Sequence, residues 1–279
     1  DNIGAAVPVS QALTDLGAAY LAVSNLEEAI QIRRAGIRTP ILILGYTHPS
    51  DFPLLRRWRL TQTVLDREYA QMLQSYGRRL RVHIALDTGM HRLGFQPDDV
   101  PAICERLKEQ SGVTARSVFS HLVGSDSSIF DDFTKKQLDT FTQAAAELEN
   151  GLEYKVIKHI LNSAGIERFT DYQMDMVRLG IGLYGVSASG IKDLRNVSTL
   201  RTTILQIQHV PAGNSIGYSR RTYVDRDSRI AIIPIGYADG LDRHFSNRGG
   251  EVSISGKRCP IVGNICMDAC MIDVTDTDA

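Results

Sequence analysis

Cysteine is scarce in this chain and never closely paired. Cys104, Cys259, Cys266 and Cys270 form no C-x-x-C and no evenly spaced framework. Neither a disulfide scaffold nor a thiolate zinc site is indicated, and the thiols read as free in a reducing compartment. Neither sign of charge is in excess, the formal net charge being −1, so bulk electrostatics offer nothing to nucleic acid or to a membrane surface. Low-complexity tracts are missing, and no apolar run approaches the roughly 18 residues that a membrane span needs. No charged leader followed by an apolar core is visible, so the expected location is the cytoplasm, with a membrane-anchored parent left open. The opening "DNIGAA" and the closing "DVTDTDA" both read as fragment edges.

What is present is ordinary globular composition, 43% hydrophobic and 23% charged, with a two-part pattern along the chain. Up to about residue 190, helical and strand periodicity alternate. Helices are expected at 8–18, 24–36 (opened by a Ser24/Glu27 capping box and closed by Gly36), around Trp58, and at 66–77, 99–110 and 132–150. Between them lie short apolar strands at 19–23, 40–44, 60–65, 81–88, 116–122, 155–163 and 175–185. Strands separated by helices mean parallel pairing with crossover connections. Seven are legible and a (β/α)8 barrel has eight, so the expectation is a TIM barrel whose first strand lies upstream of Asp1; the competing fold is a seven-stranded open sheet. From about Val197 the strands 202–210, 229–238, 251–256, 259–265 and 270–275 follow one another with short turns. They predict a small, mostly antiparallel β-domain. The expected domains are residues 1–195 and 196–279, with a linker in "SASGIKDLRN".

The stretch "RLGIGLYG" (178–185) contains a literal G-x-G-x-x-G. No helix start follows it and no acidic residue sits about 20 positions on, so the dinucleotide reading is weak. At the C-terminal end of a late barrel strand, the same glycines would let backbone N–H groups approach a phosphate. Other polar groups fall at consecutive strand ends: Asp87 and Arg92 in "DTGMHR", His121 in "SHL", Asn162 and Ser163 in "LNSAG", and Arg178. Each alone has a bland reading as a cap, a solvated cation or a satisfied core histidine; four strand ends together point to a site. The β-domain adds Tyr218, Tyr237, Asp239, Arg243, Cys266, Met267 and Asp268.

These motifs, "LDTGMHRLGF" (86–95), "VFSHL" (118–122), "NSA" (162–164), "MVRLGIGLYG" (176–185), "GY" (217–218), "IGYADG" (235–240) and "GNICMD" (263–268), resemble those of alanine racemases, the fold-III pyridoxal-phosphate family. The resemblance spans essentially the whole chain. It implies a PLP-dependent isomerase that interconverts L- and D-alanine by two-base proton transfer at Cα and supplies D-alanine for peptidoglycan. It implies a homodimer with shared sites and no nucleic-acid partner. Arg178 would hydrogen-bond the pyridine nitrogen, and His121 would lie against the ring and bond to Arg178. Ser163 with the N–H groups of Gly180 and Ile181 would cradle the phosphate. Arg92 would hold the phenolic oxygen and the substrate carboxylate. Tyr218 would be a base acting across the dimer, the Met267 N–H would help fix the carboxylate, and Tyr237 would line the entrance.

Several departures accompany the resemblance. The family's cofactor lysine, in "K-A-x-x-Y-G", aligns upstream of Asp1, and Ile3 stands where a phosphate-contacting tyrosine would be. Of the seven lysines present, only Lys158 could point into the barrel, about 13 Å below the site at ~3.3 Å per strand residue. Ala85 replaces a lysine that many members carbamylate to orient the arginine at Arg92, so another group or an anion must do so. "GMHR" and "LGYTHPSD" resemble the serine/alanine racemase domains of vancomycin-resistance VanT proteins, which keeps serine open as the substrate. Two readings from other classes remain: a metal-dependent barrel hydrolase using His83, Asp87, His121 and His159, and a non-catalytic phosphate-binding barrel.

Overall fold

The structure, a computed structural model, describes residues 6–110, 112–190 and 194–278. The chain divides into two units, residues 1–197 and 198–279, each with its own core. In the first, helices and strands alternate: α1 (Ala6–Asp15), β1 (Leu21–Val23), α2 (Leu26–Arg34), β2 (Ile41–Ile43), α3 (Phe52–Arg57), β3 (Thr61–Val64), α4 (Arg67–Ser75), β4 (Leu80–Ala85), α5 (Val100–Lys108), β5 (Val113–Phe119), α6 (Asp131–Leu152), β6 (Ile157–His159) and α7 (Ser163–Arg168). The six strands form one parallel half-barrel in sequential order. Helices cover its outer face, which is why β2 and β3 are buried along their whole length. The main core lies between sheet and helices and includes Phe52, Leu55, Leu73, Leu138, Phe141 and Leu148.

Local side-chain caps open α2 and α4. The cap of α2 lies one residue later than the predicted box: Asn25 Oδ1 accepts the Glu28 N–H at 2.9 Å, and Glu28 Oε2 reaches back to the Ser24 N–H at 2.9 Å. Asp66 does the same for α4, accepting the Tyr69 N–H at 2.7 Å.

The expected seventh strand, 175–185, is not one. Its backbone-to-backbone hydrogen bonds with the β6 side are the Asp175 N–H to Lys158 C=O at 3.2 Å and the Arg178 N–H to Leu161 C=O at 3.0 Å. The chain then turns into a 3-10 segment over Ile181–Tyr184. Apolar alternation suggested extended backbone, but Gly185 forces the exit: its φ is +82°, and any Cβ there would collide with the Arg195 carbonyl.

The second unit is a five-stranded antiparallel sheet, β11–β12–β13–β10–β7, built from β7 (Gln206–Val210), β10 (Ser228–Ile233), β11 (Glu251–Ile254), β12 (Lys257–Val262) and β13 (Cys270–Asp273). A hairpin of β8 (Ser215–Ile216) and β9 (Thr222–Tyr223) accompanies it. Ala231, Ile233, Ile261, Cys270 and Ile272 fill its core. No helix among the described residues is long and apolar enough to cross a membrane.

Candidate active site

The carboxyl ends of the strands open into a cleft of about 880 Å³, within the range typical of small-molecule sites. Arg92, His121, Ser163, Arg178, Gly180 and Ile181 all line it, as do Ala85 and Asp87. The loop after β4 braces itself: Asp87 Oδ1 accepts the N–H groups of Gly89 and His91 at 3.0 and 2.9 Å, and Oδ2 bonds His91 Nδ1 at 3.1 Å. Asn162 is structural. It caps α7 through the Gly165 N–H at 3.0 Å, and it ties the neighbouring loop through the Leu122 C=O and Ser125 Oγ.

Ser163, the first residue of α7, puts its Oγ where two backbone donors converge, the N–H of Gly180 at 3.0 Å and that of Gly182 at 3.1 Å. Ile181, whose N–H the resemblance assigns to the phosphate, lies between these two glycines at the start of the 3-10 segment and lines the cleft. A side chain at Gly182 would meet Leu179 Cδ1 at 2.9 Å and crowd Ser163. A hydroxyl oriented by two N–H groups, beside backbone kept open by glycine, suits a phosphate.

Arg178 occupies the floor of the cleft. One terminal nitrogen donates to His159 Nδ1 at 2.6 Å and the His159 C=O at 3.1 Å; the other donates to the Ser120 C=O at 2.6 Å, the Ile160 C=O at 3.2 Å and His121 Nδ1 at 3.3 Å. Its guanidinium lies over the Phe119 ring, 5.2 Å from the centroid. Among the described residues no carboxylate pairs with it, and its Nε–H has no acceptor. Burial pushes its pKa down to about 10, which still leaves it charged at neutral pH.

The donor character of arginine sets the direction of a hydrogen-bond chain below it. His159 Nδ1 must accept, so His159 carries its proton on Nε2 and donates to Ser117 Oγ at 3.2 Å. Ser117 in turn donates to His83 Nδ1, which leaves the proton of His83 on Nε2, a buried atom without a partner. All three histidines are kept neutral: burial, reinforced by the Arg178 charge, lowers His121 to about 4 and His159 well below its usual range, and burial with Arg116 and Arg178 lowers His83 to about 3. Sequence reasoning grouped His83, Asp87, His121 and His159 as metal ligands. Instead, His121 and His159 each turn Nδ1 to a guanidinium, a poor neighbour for a cation, and no three potential ligands gather among the described residues.

Lys158 also corrects the sequence reading. It points away from the cleft, its Nζ pairing with Glu149 at 3.1 Å and Asp175 at 3.4 Å. Ile3 lies outside the described residues.

In the β-domain, Tyr218, Tyr237 and Met267 are exposed at adjoining turns. The Tyr218 C=O accepts Asn264 Nδ2 at 2.9 Å, and Asn264 precedes the turn of Met267; the Tyr237 N–H bonds the Cys266 C=O at 3.0 Å, and the Met267 C=O accepts the Ala238 N–H at 2.9 Å. Arg243 lies over the Tyr237 ring at 5.8 Å.

A half-barrel mouth with a glycine-lined hydroxyl, a carboxylate-free buried arginine and neutral histidines, accompanied by an antiparallel β-domain, defines the class as a barrel protein with a cleft for a small anionic ligand. Residues 4–188 match the family described as "Alanine racemase, N-terminal domain", and residues 197–279 match "Alanine racemase, C-terminal domain". The chain is 38% identical over 278 residues to the alanine racemase of Desulfovibrio desulfuricans, covering 97% of this chain and 74% of that one. It superposes on the alanine racemase of Clostridium difficile 630 with a TM-score of 0.83 at 34% identity, covering 98% of this chain and 73% of the other. Against the alanine racemase of Bartonella henselae with covalently bound pyridoxal phosphate, the TM-score is 0.85 at 28% identity, with 99% and 77% covered. The chain belongs to the alanine racemase family. These relatives support the alanine reading and not the serine alternative.

Proposed function

We propose that this protein is a pyridoxal-phosphate-dependent alanine racemase, working as a homodimer in the cytoplasm and supplying D-alanine for peptidoglycan. The observation that carries the reading is Arg178: a guanidinium held by five acceptor contacts to neutral groups, with its Nε–H left over at the floor of the cleft. Pyridoxal phosphate, when bound, supplies an electron sink that makes the substrate α-proton removable.

The chain's own residues do the rest. The Ser163 hydroxyl with the N–H groups of Gly180 and Ile181 would hold the phosphate. Arg178 offers a hydrogen bond to the pyridine nitrogen without giving up its proton, because even at about 10 its pKa is far above that of a pyridine. That limits how much negative charge the ring can draw in, which favours return of a proton to Cα over side reactions. His121, kept neutral by burial and by Arg178, would add no positive charge to the site. Arg92 binds the substrate carboxylate with help from the Met267 N–H of the other subunit, and Tyr237 lines the approach. Racemisation needs a base on each face of Cα. Tyr218 takes one face, across the dimer; the other belongs to the cofactor lysine that the family resemblance implies, and no lysine among the described residues lines the cleft.

In the intact protein, Tyr218→Phe should lower racemisation by roughly a hundred- to ten-thousandfold, the usual worth of a positioned acid–base group. Solvent exchange of the α-proton should persist for one enantiomer only, with cofactor binding unchanged. Full-rate racemisation, or exchange lost equally from both enantiomers, would remove Tyr218 from the base role.

A further inference from the structure

The buried face of α6 runs Thr134, Gln137, Leu138, Phe141, Ala144, Ala145, Leu148, Leu152. Gln137 is a primary amide at a core position, 1% exposed. Burying an amide costs free energy unless its donors and acceptor are matched, and here they are. Oε1 accepts the Val123 N–H at 3.1 Å; Nε2 donates to the His121 C=O at 3.2 Å and to Thr88 Oγ1 at 3.5 Å. Thr88 Oγ1 bonds Ser120 Oγ at 2.8 Å, and the Ser120 C=O receives Arg178. One side chain therefore joins the loop after β4, which carries Arg92, to the loop after β5, which carries His121.

The neighbourhood is shaped for this contact. Gly89, in the loop after β4, has φ +131°, and a Cβ there would lie 2.9 Å from Phe133 Cζ and 3.6 Å from Gln137 Nε2. The absence of a side chain lets the first turns of α6 seat against that loop. His121 is fixed at both ends, its carbonyl by Gln137 and its ring nitrogen by Arg178.

We propose that Gln137 is a positioning residue for the racemase reaction: from α6 it sets the height of the His121 imidazole over the cofactor site and couples it to the loop of Arg92. The proposal rests on the racemase reading above. Outer-shell partners of this kind typically carry a ten- to hundredfold effect.

The test uses the intact holoenzyme with Gln137→Met, which removes every polar contact, and Gln137→Glu, which keeps shape and the acceptor for Val123 but loses both donors. In Gln137→Met, exchange of the Val123 amide with deuterium should accelerate at least about tenfold. The His121 ring resonances should shift while those of His83 do not. The kcat for alanine should fall about ten- to hundredfold, with KM changed by less than about threefold. Gln137→Glu should keep the Val123 protection and still show the His121 shift and the kcat loss; if the methionine variant does not fold, this isosteric variant decides alone. Unchanged kcat and unchanged His121 resonances in a folded variant would overturn the proposal. If wild type itself fails to racemise alanine, the racemase reading falls, and the Val123 and His121 readouts then judge the positioning claim independently.

Discussion

Arg178→Lys is expected to leave a folded protein that binds pyridoxal phosphate and turns over alanine roughly a hundred- to a thousandfold more slowly, the scale of losing one preorganised donor. Lysine keeps the charge but replaces a planar fork with a single ammonium. It cannot reach the carbonyls of Ser120, His159 and Ile160 and both imidazoles at once. Each acceptor left unmatched in the interior costs about 1–3 kcal/mol, so a fall in stability of a few kcal/mol should accompany the kinetic loss. Burial can lower a lysine ammonium by as much as ~3–5 pK units from about 10.4, close enough to a pyridine for its proton to pass, whereas Arg178 stays at about 10. Side reactions at the cofactor should therefore rise relative to racemisation. Steady-state kinetics with product analysis, alongside urea denaturation, checks both parts; unchanged kcat in a stable Arg178→Lys protein would show that the guanidinium has no part in the reaction.

The second large effect is on stability against pH. His83, His121 and His159 are all held neutral in the barrel unit by burial and by nearby arginines, His121 at about 4 and His83 at about 3. In the unfolded chain each returns to about 6.5. Below that value the unfolded chain binds protons that the folded one refuses. Their contribution is therefore complete above pH ~6.5 and is lost as pH falls towards the folded values. At close to 1.4 kcal/mol per pH unit for each group, the three together should remove roughly 3–4 kcal/mol between about pH 6 and pH 5. Trp58, the sole tryptophan, stands at the end of α3 in the same unit and reports its unfolding. Fluorescence-monitored urea titrations should show the midpoint falling over this range, with an uptake near three protons. A flat midpoint would mean that these imidazoles are not buried neutral.

Much of this was legible in the residues because it is local or periodic. Alternation of helices and strands up to residue 190 and its switch to short-turn strands afterwards carry the α/β and β units, and strand-end polar groups mark Arg92, His121, Ser163 and Arg178 as neighbours. The misses are of a different kind. Periodicity could not separate 175–185 from a strand, because its turn is imposed by the close approach of Gly185 to Arg195, a contact between residues ten apart. His159, one of four residues weighed as an alternative metal-ligand set, turns Nδ1 to Arg178, a partner 19 residues away that spacing does not reveal. Gln137 did leave a trace, a polar amide in register with the apolar stripe of α6, and the partners that explain it lie on loops after two different strands.

In the proposed racemase, Arg178 acts as a donor to the cofactor ring without protonating it. Nitrogen NMR of the intact protein loaded with pyridoxal phosphate labelled at the ring nitrogen reads this directly. We expect the resonance of an unprotonated, hydrogen-bonded pyridine, moving towards the protonated position in Arg178→Lys. A fully protonated pyridinium signal in the wild type, unaffected by that substitution, would contradict it.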